Sequence, residues 1–124
     1  MARSNLIYVR AGDTEPLEIT VGAVGVTTLD DLTSAVLYGR IDGVATNQID
    51  GAACTVADSE AMLLSFDPAG AGPDGNDAWE LEPTEDEPLR VRCYVLLTWS
   101  DGQTTRHPAA EDGTLDIYVT ASYE

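Results

Sequence analysis

The sequence predicts an all-β fold, a single antiparallel β-sandwich domain of about seven to eight short strands spanning residues 1–124. Three observations lead there. Apolar residues recur with period two almost throughout. Turn-forming clusters rich in Gly, Pro, Asp and Asn separate the apolar runs at short spacing. No long segment carries a convincing helical period. The chain has 124 residues and is 44% hydrophobic, enough for one core and too apolar for a disordered tail.

The elements follow in order. "NLIYV" (Asn5–Val9) is a first strand. In "LEITV", Leu17, Ile19 and Val21 alternate with Glu18 and Thr20, as in a half-buried strand. "TLDDLTSAVL" (Thr28–Leu37) begins like a capped helix, but its β-branched residues and short length favour a turn feeding the strand Ala35–Ile41. "DGVATNQIDG" reads as a turn, followed by short strands at Ala53–Ala57 and Ala61–Phe66. "DPAGAGPDGND" has the composition of a surface loop, "DAWELEP" allows one helical turn, and "EPTEDEP" (Glu82–Pro88) is a solvated acidic turn. "LRVRCYVLLTW" is the clearest strand. Leu89, Val91, Cys93, Val95, Leu97 and Trp99 share a core face, and Arg90, Arg92, Tyr94, Leu96 and Thr98 share the other. Asp101-Gly102 then predicts a two-residue hairpin turn that sets Trp99 opposite Thr104 and Thr98 opposite Thr105. In "TLDIYVTASY", Leu115, Ile117, Val119, Ala121 and Tyr123 oppose Asp116, Tyr118, Thr120 and Ser122.

Residue chemistry offers little to an enzyme. The single histidine, His107, sits near Ser100 and Asp101 in sequence, but those two occupy a hairpin tip. At about 3.3 Å per residue an extended strand holds His107 beyond their hydrogen-bonding reach, and no G-x-S-x-G elbow exists. His107 is therefore a structural residue at a strand end. One histidine and the separated Cys54 and Cys93 do not make a four-ligand zinc site, and the thiols read as two small buried hydrophobes. Asp67, Asp74, Asn76 and Asp77 suit calcium as oxygen donors, but their spacing is not that of a D-x-D-x-D-G loop, so no metal is expected. No P-loop or dinucleotide fingerprint is present, and no cofactor is expected.

Charge is the strongest compositional signal. Twenty-two acidic residues face six basic ones, for a net charge of −16, and every basic residue is arginine: Arg3, Arg10, Arg40, Arg90, Arg92 and Arg106. Such a surface repels nucleic acid and anionic lipid, so neither is an expected partner. Absent lysine has two accounts, GC-rich coding and adaptation to high salt, where repulsion among carboxylates is screened. The chain has no apolar run of transmembrane length, and its N-terminus lacks a signal-peptide core.

The ordered motifs "DTEPLEITV", "DLTSAVLYGRI", "DGAACTVAD", "AMLLSF", "EPLRVRCYVLLTWSDGQTTRHP" and "GTLDIYVT" resemble the N-terminal immunoglobulin-like domain of the phage baseplate upper protein family. The resemblance covers most of the chain and implies an immunoglobulin-like sandwich, standing as the module alone, with no catalytic residues. It implies a non-enzymatic structural protein of a tailed bacteriophage or archaeal virus, made in the host cytoplasm. Its place would be in the tail, in the baseplate or as a capsid decoration, in several copies of a symmetric assembly with other virion proteins as partners. Candidate contact residues are the outward-facing Tyr38, Arg40, Arg90, Arg92 and Tyr94, because arginine and tyrosine are favoured at interfaces. The alternative is a small-ligand or carbohydrate-binding sandwich, for which Trp79 and the tyrosines are the available aromatics and Trp99 belongs to the core.

Overall fold

The structure, a computed structural model, describes residues 5–23, 25–81, 83, 87–108 and 115–121. Period-two alternation produces eight strands: β1 (Asn5–Arg10), β2 (Leu17–Thr20), β3 (Leu32–Ile41), β4 (Asn47–Asp58), β5 (Leu63–Phe66), β6 (Leu89–Trp99), β7 (Thr104–His107) and β8 (Leu115–Thr120). They run in the order β1-β8-β6-β3-β4-β5-β2, a continuous curled sheet that folds back on itself as a sandwich-like all-β domain. Both β7 and β8 pair with β6, β7 beside Val95–Thr98 and β8 beside Leu89–Cys93.

The sheet is mixed, not wholly antiparallel as expected. β1 pairs with β8 in parallel, Ile7 opposite Ile117 and Val9 opposite Val119. A parallel pair needs a long connection between its strands, and here almost the whole domain supplies it.

β4 is the strand that turns the corner. Its first half pairs with β3 up to Ala53, and its second half pairs with β5 from Cys54 onward. Register shifts at Leu37/Tyr38 and Gly39/Arg40 bend the ladder, as bulges do where a strand passes from one layer to another. The predicted turn "DGVATNQIDG" is accordingly shorter than expected. It ends before Asn47, and Gln48 and Ile49 are buried strand residues.

The core lies between the layers. Leu37, Ile49, Val91, Val95, Leu97, Leu115, Ile117 and Val119 meet Ile19, Leu64 and Phe66, all essentially inaccessible to solvent. Full burial of each such side chain contributes about 1.5–3 kcal/mol. Trp79, read as an available aromatic, is instead 1% exposed and packs edge-on against Phe66 with ring centroids 5.9 Å apart. The loop carrying it is tied down on both sides: Gly12 N–H donates to Trp79 O at 2.7 Å, and Gln48 Nε2 donates to Ala78 O at 2.9 Å. Trp99 is buried, as expected. The helical turn expected in "DAWELEP" is a hydrogen-bonded turn from Asp77 to Glu80, and a 3-10 turn forms at Pro73–Gly75.

The β6–β7 hairpin differs from expectation by one residue. Thr98 faces Thr104 and Leu97 faces Thr105, around a three-residue loop, Ser100 to Gly102. Gly102 N–H donates back to Trp99 O at 2.9 Å, and Gly102 adopts φ +86°, the left-handed residue of a type I turn with a bulge. The slip decides where Arg106 points. In the expected register it would have joined the core face; in the observed one it lies opposite Leu96 on the outward face.

Candidate functional site

The outward face of β1, β8, β6, β7 and β3 gathers one kind of chemistry. Alternation sends Ala35, Leu37 and Gly39 of β3 inward and leaves Tyr38 and Arg40 outside. On β6 it buries Val91, Cys93 and Val95 and leaves Arg90, Arg92 and Tyr94 on the opposite face. Registry then sets Tyr38 opposite Tyr94 and Arg40 opposite Arg92. Arg106 on β7, Tyr118 on β8, and Tyr8 and Arg10 on β1 complete the face. All five arginines and all four tyrosines among the described residues stand there.

The rings form two pairs. Tyr38 and Tyr94 stack with centroids 5.1 Å apart at 17°. The far side of Tyr38 lies against Gly51, and the Arg106 guanidinium sits 3.9 Å above the Tyr94 ring. The layers thus run Gly51, Tyr38, Tyr94, Arg106 across four strands. Tyr8, 63% exposed, stacks on Tyr118 at 5.5 Å.

The arginines are not equivalent. Arg90 donates from Nη2 to Asp116 Oδ2 at 3.0 Å, and that carboxylate is almost wholly buried although it belongs to the outward face of β8. The hydrogen bond to Asp116 is the main reason the Arg90 guanidinium is held above its ordinary range. Arg92 meets Asp42 only at 3.9 Å, with both side chains more than half exposed, a contact worth little in water. Arg40 makes no ion pair among the described residues.

Beside these two arginines the surface is concave. The β3–β4 hairpin, closed by Val44 N–H donating to Ile41 O at 2.9 Å, is fastened to β6 by Asp42 N–H donating to Arg90 O at 2.9 Å. It walls a groove of about 530 Å³ bordered by Tyr38, Arg40, Asp42, Val44, Asn47, Arg92 and Tyr94. Four of the five predicted contact residues therefore meet at one groove. Arg90 stands outside it, engaged with Asp116.

The remaining candidates are placed elsewhere. His107 lies opposite Val95, and its Nδ1 accepts the Gly22 N–H at 3.0 Å. Ser100 and Asp101 stand at the hairpin tip, where Asp101 Oδ1 accepts the Gln103 N–H at 3.0 Å, so the three are not assembled. Both cysteines are free thiols. Burial pushes Cys54 up to about 11, and burial together with the Asp116 charge pushes Cys93 up to about 12, so both stay protonated near neutrality. In the acidic loop, Asp67 and Asp77 each turn one oxygen to a loop amide, of Ala69 and Gly70 respectively, at 3.0 Å. Among the described residues no three His, Cys, Asp or Glu side chains gather as metal ligands, and no helix is long and apolar enough to cross a membrane. Most of the acidic run Glu82–Pro88 falls outside the described residues.

Fold and site together define a class: a β-sandwich-like domain carrying an arginine–tyrosine face with a groove in it. Compared with known proteins, the chain matches no family model and no curated protein.

Proposed function

We propose that the protein is a non-enzymatic structural component of a tailed-virus particle, acting through protein–protein contacts made by the outward face of β1, β8, β6, β7 and β3. The observation that supports contact through this face is the gathering of every described arginine and tyrosine on it, in a chain of net charge −16. Arginine supplies directional hydrogen bonds and tyrosine a large, rigid contact area, and both are enriched among the residues that dominate interface energetics. The virion setting rests on the motif resemblance from "DTEPLEITV" to "GTLDIYVT".

The test is composition. Particles of the virus that encodes the chain are purified through a density gradient and analysed by quantitative mass spectrometry. The protein is expected at a fixed stoichiometry to the major tail or capsid protein, and Tyr94→Ala with Arg92→Ala is expected to lower its incorporation. A chain made in infected cells but missing from particles would overturn the reading.

The groove itself favours a second reading, a small-ligand or carbohydrate-binding module. Its volume of about 530 Å³ suits a ligand, and the tyrosine edges, Asn47 and the guanidinium groups at its margin offer hydrogen bonds to sugar hydroxyls. A neutral glycan bound in a manner sensitive to Tyr38→Ala would support that reading over the first.

A further inference from the structure

Deepening the contact reading on which it rests, we infer that the groove beside the β3–β4 hairpin is a carboxylate pocket. It receives an Asp or Glu side chain from a polypeptide segment of another protein, held between Arg40 and Arg92 over the Tyr38–Tyr94 pair. Like charges directly opposite on neighbouring strands are unfavourable, yet Arg40 stands opposite Arg92, whose other neighbour in register, Asp116, is bound by Arg90. Nearby arginines are already engaged within the fold, Arg90 with Asp116 and Arg106 with the Tyr94 ring. Arg40 has no ion pair among the described residues, and Arg92 has only the exposed 3.9 Å approach to Asp42. Asp42 borders the same concave site, but its exposed approach leaves the guanidinium donors of Arg92, like those of Arg40, open to a closer carboxylate. A planar guanidinium matches a planar carboxylate through two parallel hydrogen bonds, and an incoming carboxylate relieves the repulsion between the two arginines.

The net charge of −16 narrows the occupant. It repels an extended polyanion, whose binding needs a long cationic track rather than two arginines. It equally repels a second copy of the chain. The fitting partner is a protein with a carboxylate at the contact and a net charge much nearer zero. Asn47 at the groove margin and Val44 on the hairpin, 42% exposed, offer a polar and an apolar contact to the flanking residues of that segment.

The experiment uses the full chain, isotope-labelled at arginine, and acetylated, amidated hexapeptides centred on Asp-Glu or on the isosteric Asn-Gln. Nε–Hε resonances of Arg40 and Arg92 are followed by NMR at moderate salt. Saturable shifts with the acidic peptide are expected, weakened about tenfold or more by the amide isostere and by Arg40→Gln or Arg92→Gln. Both arginines are exposed, and melting temperatures no lower than that of the wild type certify that the variants fold. Equal binding of the two peptides, or no shift at about 10 mM acidic peptide, would overturn the inference. Acetate and inorganic phosphate serve as separate arms: tighter binding of phosphate than of the acidic peptide would overturn the carboxylate assignment. Self-association lost in Arg40→Gln, seen by sedimentation, would overturn the foreign partner. Particle composition is read independently, so a protein present in particles that binds no acidic peptide fails here alone. One that binds the peptide but is missing from particles fails only the virion reading.

Discussion

Replacing Gly39 by alanine adds a single methyl group at the most crowded point beneath the groove. A Cβ there would stand 2.9 Å from Cys93 Sγ, 3.0 Å from Val91 Cγ1 and 3.5 Å from Ile49 Cδ1. The first two separations are below ordinary van der Waals contact, so β3 and β6 must part slightly or Cys93 must leave its rotamer. Overpacking of this kind costs about 1–3 kcal/mol, and the stiffer unfolded chain of the alanine variant returns about 0.4–1 kcal/mol. A net loss of about 1–2 kcal/mol is expected, read from urea unfolding by tryptophan fluorescence. The cause is isolated by a double-mutant cycle with Cys93→Ala, which removes the sulfur that the new methyl meets. Cys93→Ala alone leaves a small cavity, and Gly39→Ala in that background should cost less, since only the Val91 contact remains tight, giving a coupling above about 0.5 kcal/mol. Additive effects, or a Gly39→Ala protein as stable as wild type, would refute the claim that β3 and β6 are held this close by the missing side chain.

Other perturbations read other parts of the fold. Arg90→Ala takes the guanidinium from the buried Asp116 carboxylate and should cost about 2 kcal/mol; an unchanged urea midpoint would argue against this ion pair. The thiols, raised by burial to about 11 and 12, keep their protons in the folded state, whereas unfolded thiols lose them above about 8.5. Their stabilising contribution is full below that pH and disappears as pH rises toward those folded values, so alkaline unfolding should be steeper in wild type than in a Cys54→Ala, Cys93→Ala protein. After denaturation, alkylation should label two thiols per chain without reductant, and a need for reductant would reveal a disulfide. Melting temperature should climb between about 0.05 M and 1 M sodium or potassium chloride as the Debye length shrinks to about 3 Å. A flat curve in both salts would leave GC-rich coding as the better account of the missing lysine, and a rise well past 1 M would favour a high-salt origin.

Legibility in the sequence followed the strength of alternation. β6 was readable to both ends, Leu89 to Trp99, because eleven residues keep strict period two. β4 was readable only in part. Its first residues, "NQIDG", are turn formers by propensity, and only pairing with β3 holds them extended. Trp79 was misread because a loop has no period from which burial can be inferred. Four groove residues were legible as outward-facing members of two strands. Their meeting was not, since it depends on β3 lying beside β6 in one register, a long-range choice absent from local pattern. Arg106 was missed for a local reason, the extra residue in the hairpin loop that flips its face.

Placement of the few cations is the feature that folding stability does not explain. In a chain with 22 carboxylates and six arginines, internal repulsion is lowest when each arginine sits among acidic neighbours, spread over the surface. Here the five described arginines share one face, and two of them oppose each other across a ladder. Cation–π contact accounts for Arg106, and an ion pair with a buried carboxylate accounts for Arg90. Neither accounts for Arg40 and Arg92, which oppose each other with only the exposed approach of Asp42 to Arg92 as an ion pair among the described residues. A carboxylate arriving from outside would engage both, because the guanidinium groups are already positioned and gain a closer anion than the exposed Asp42 provides.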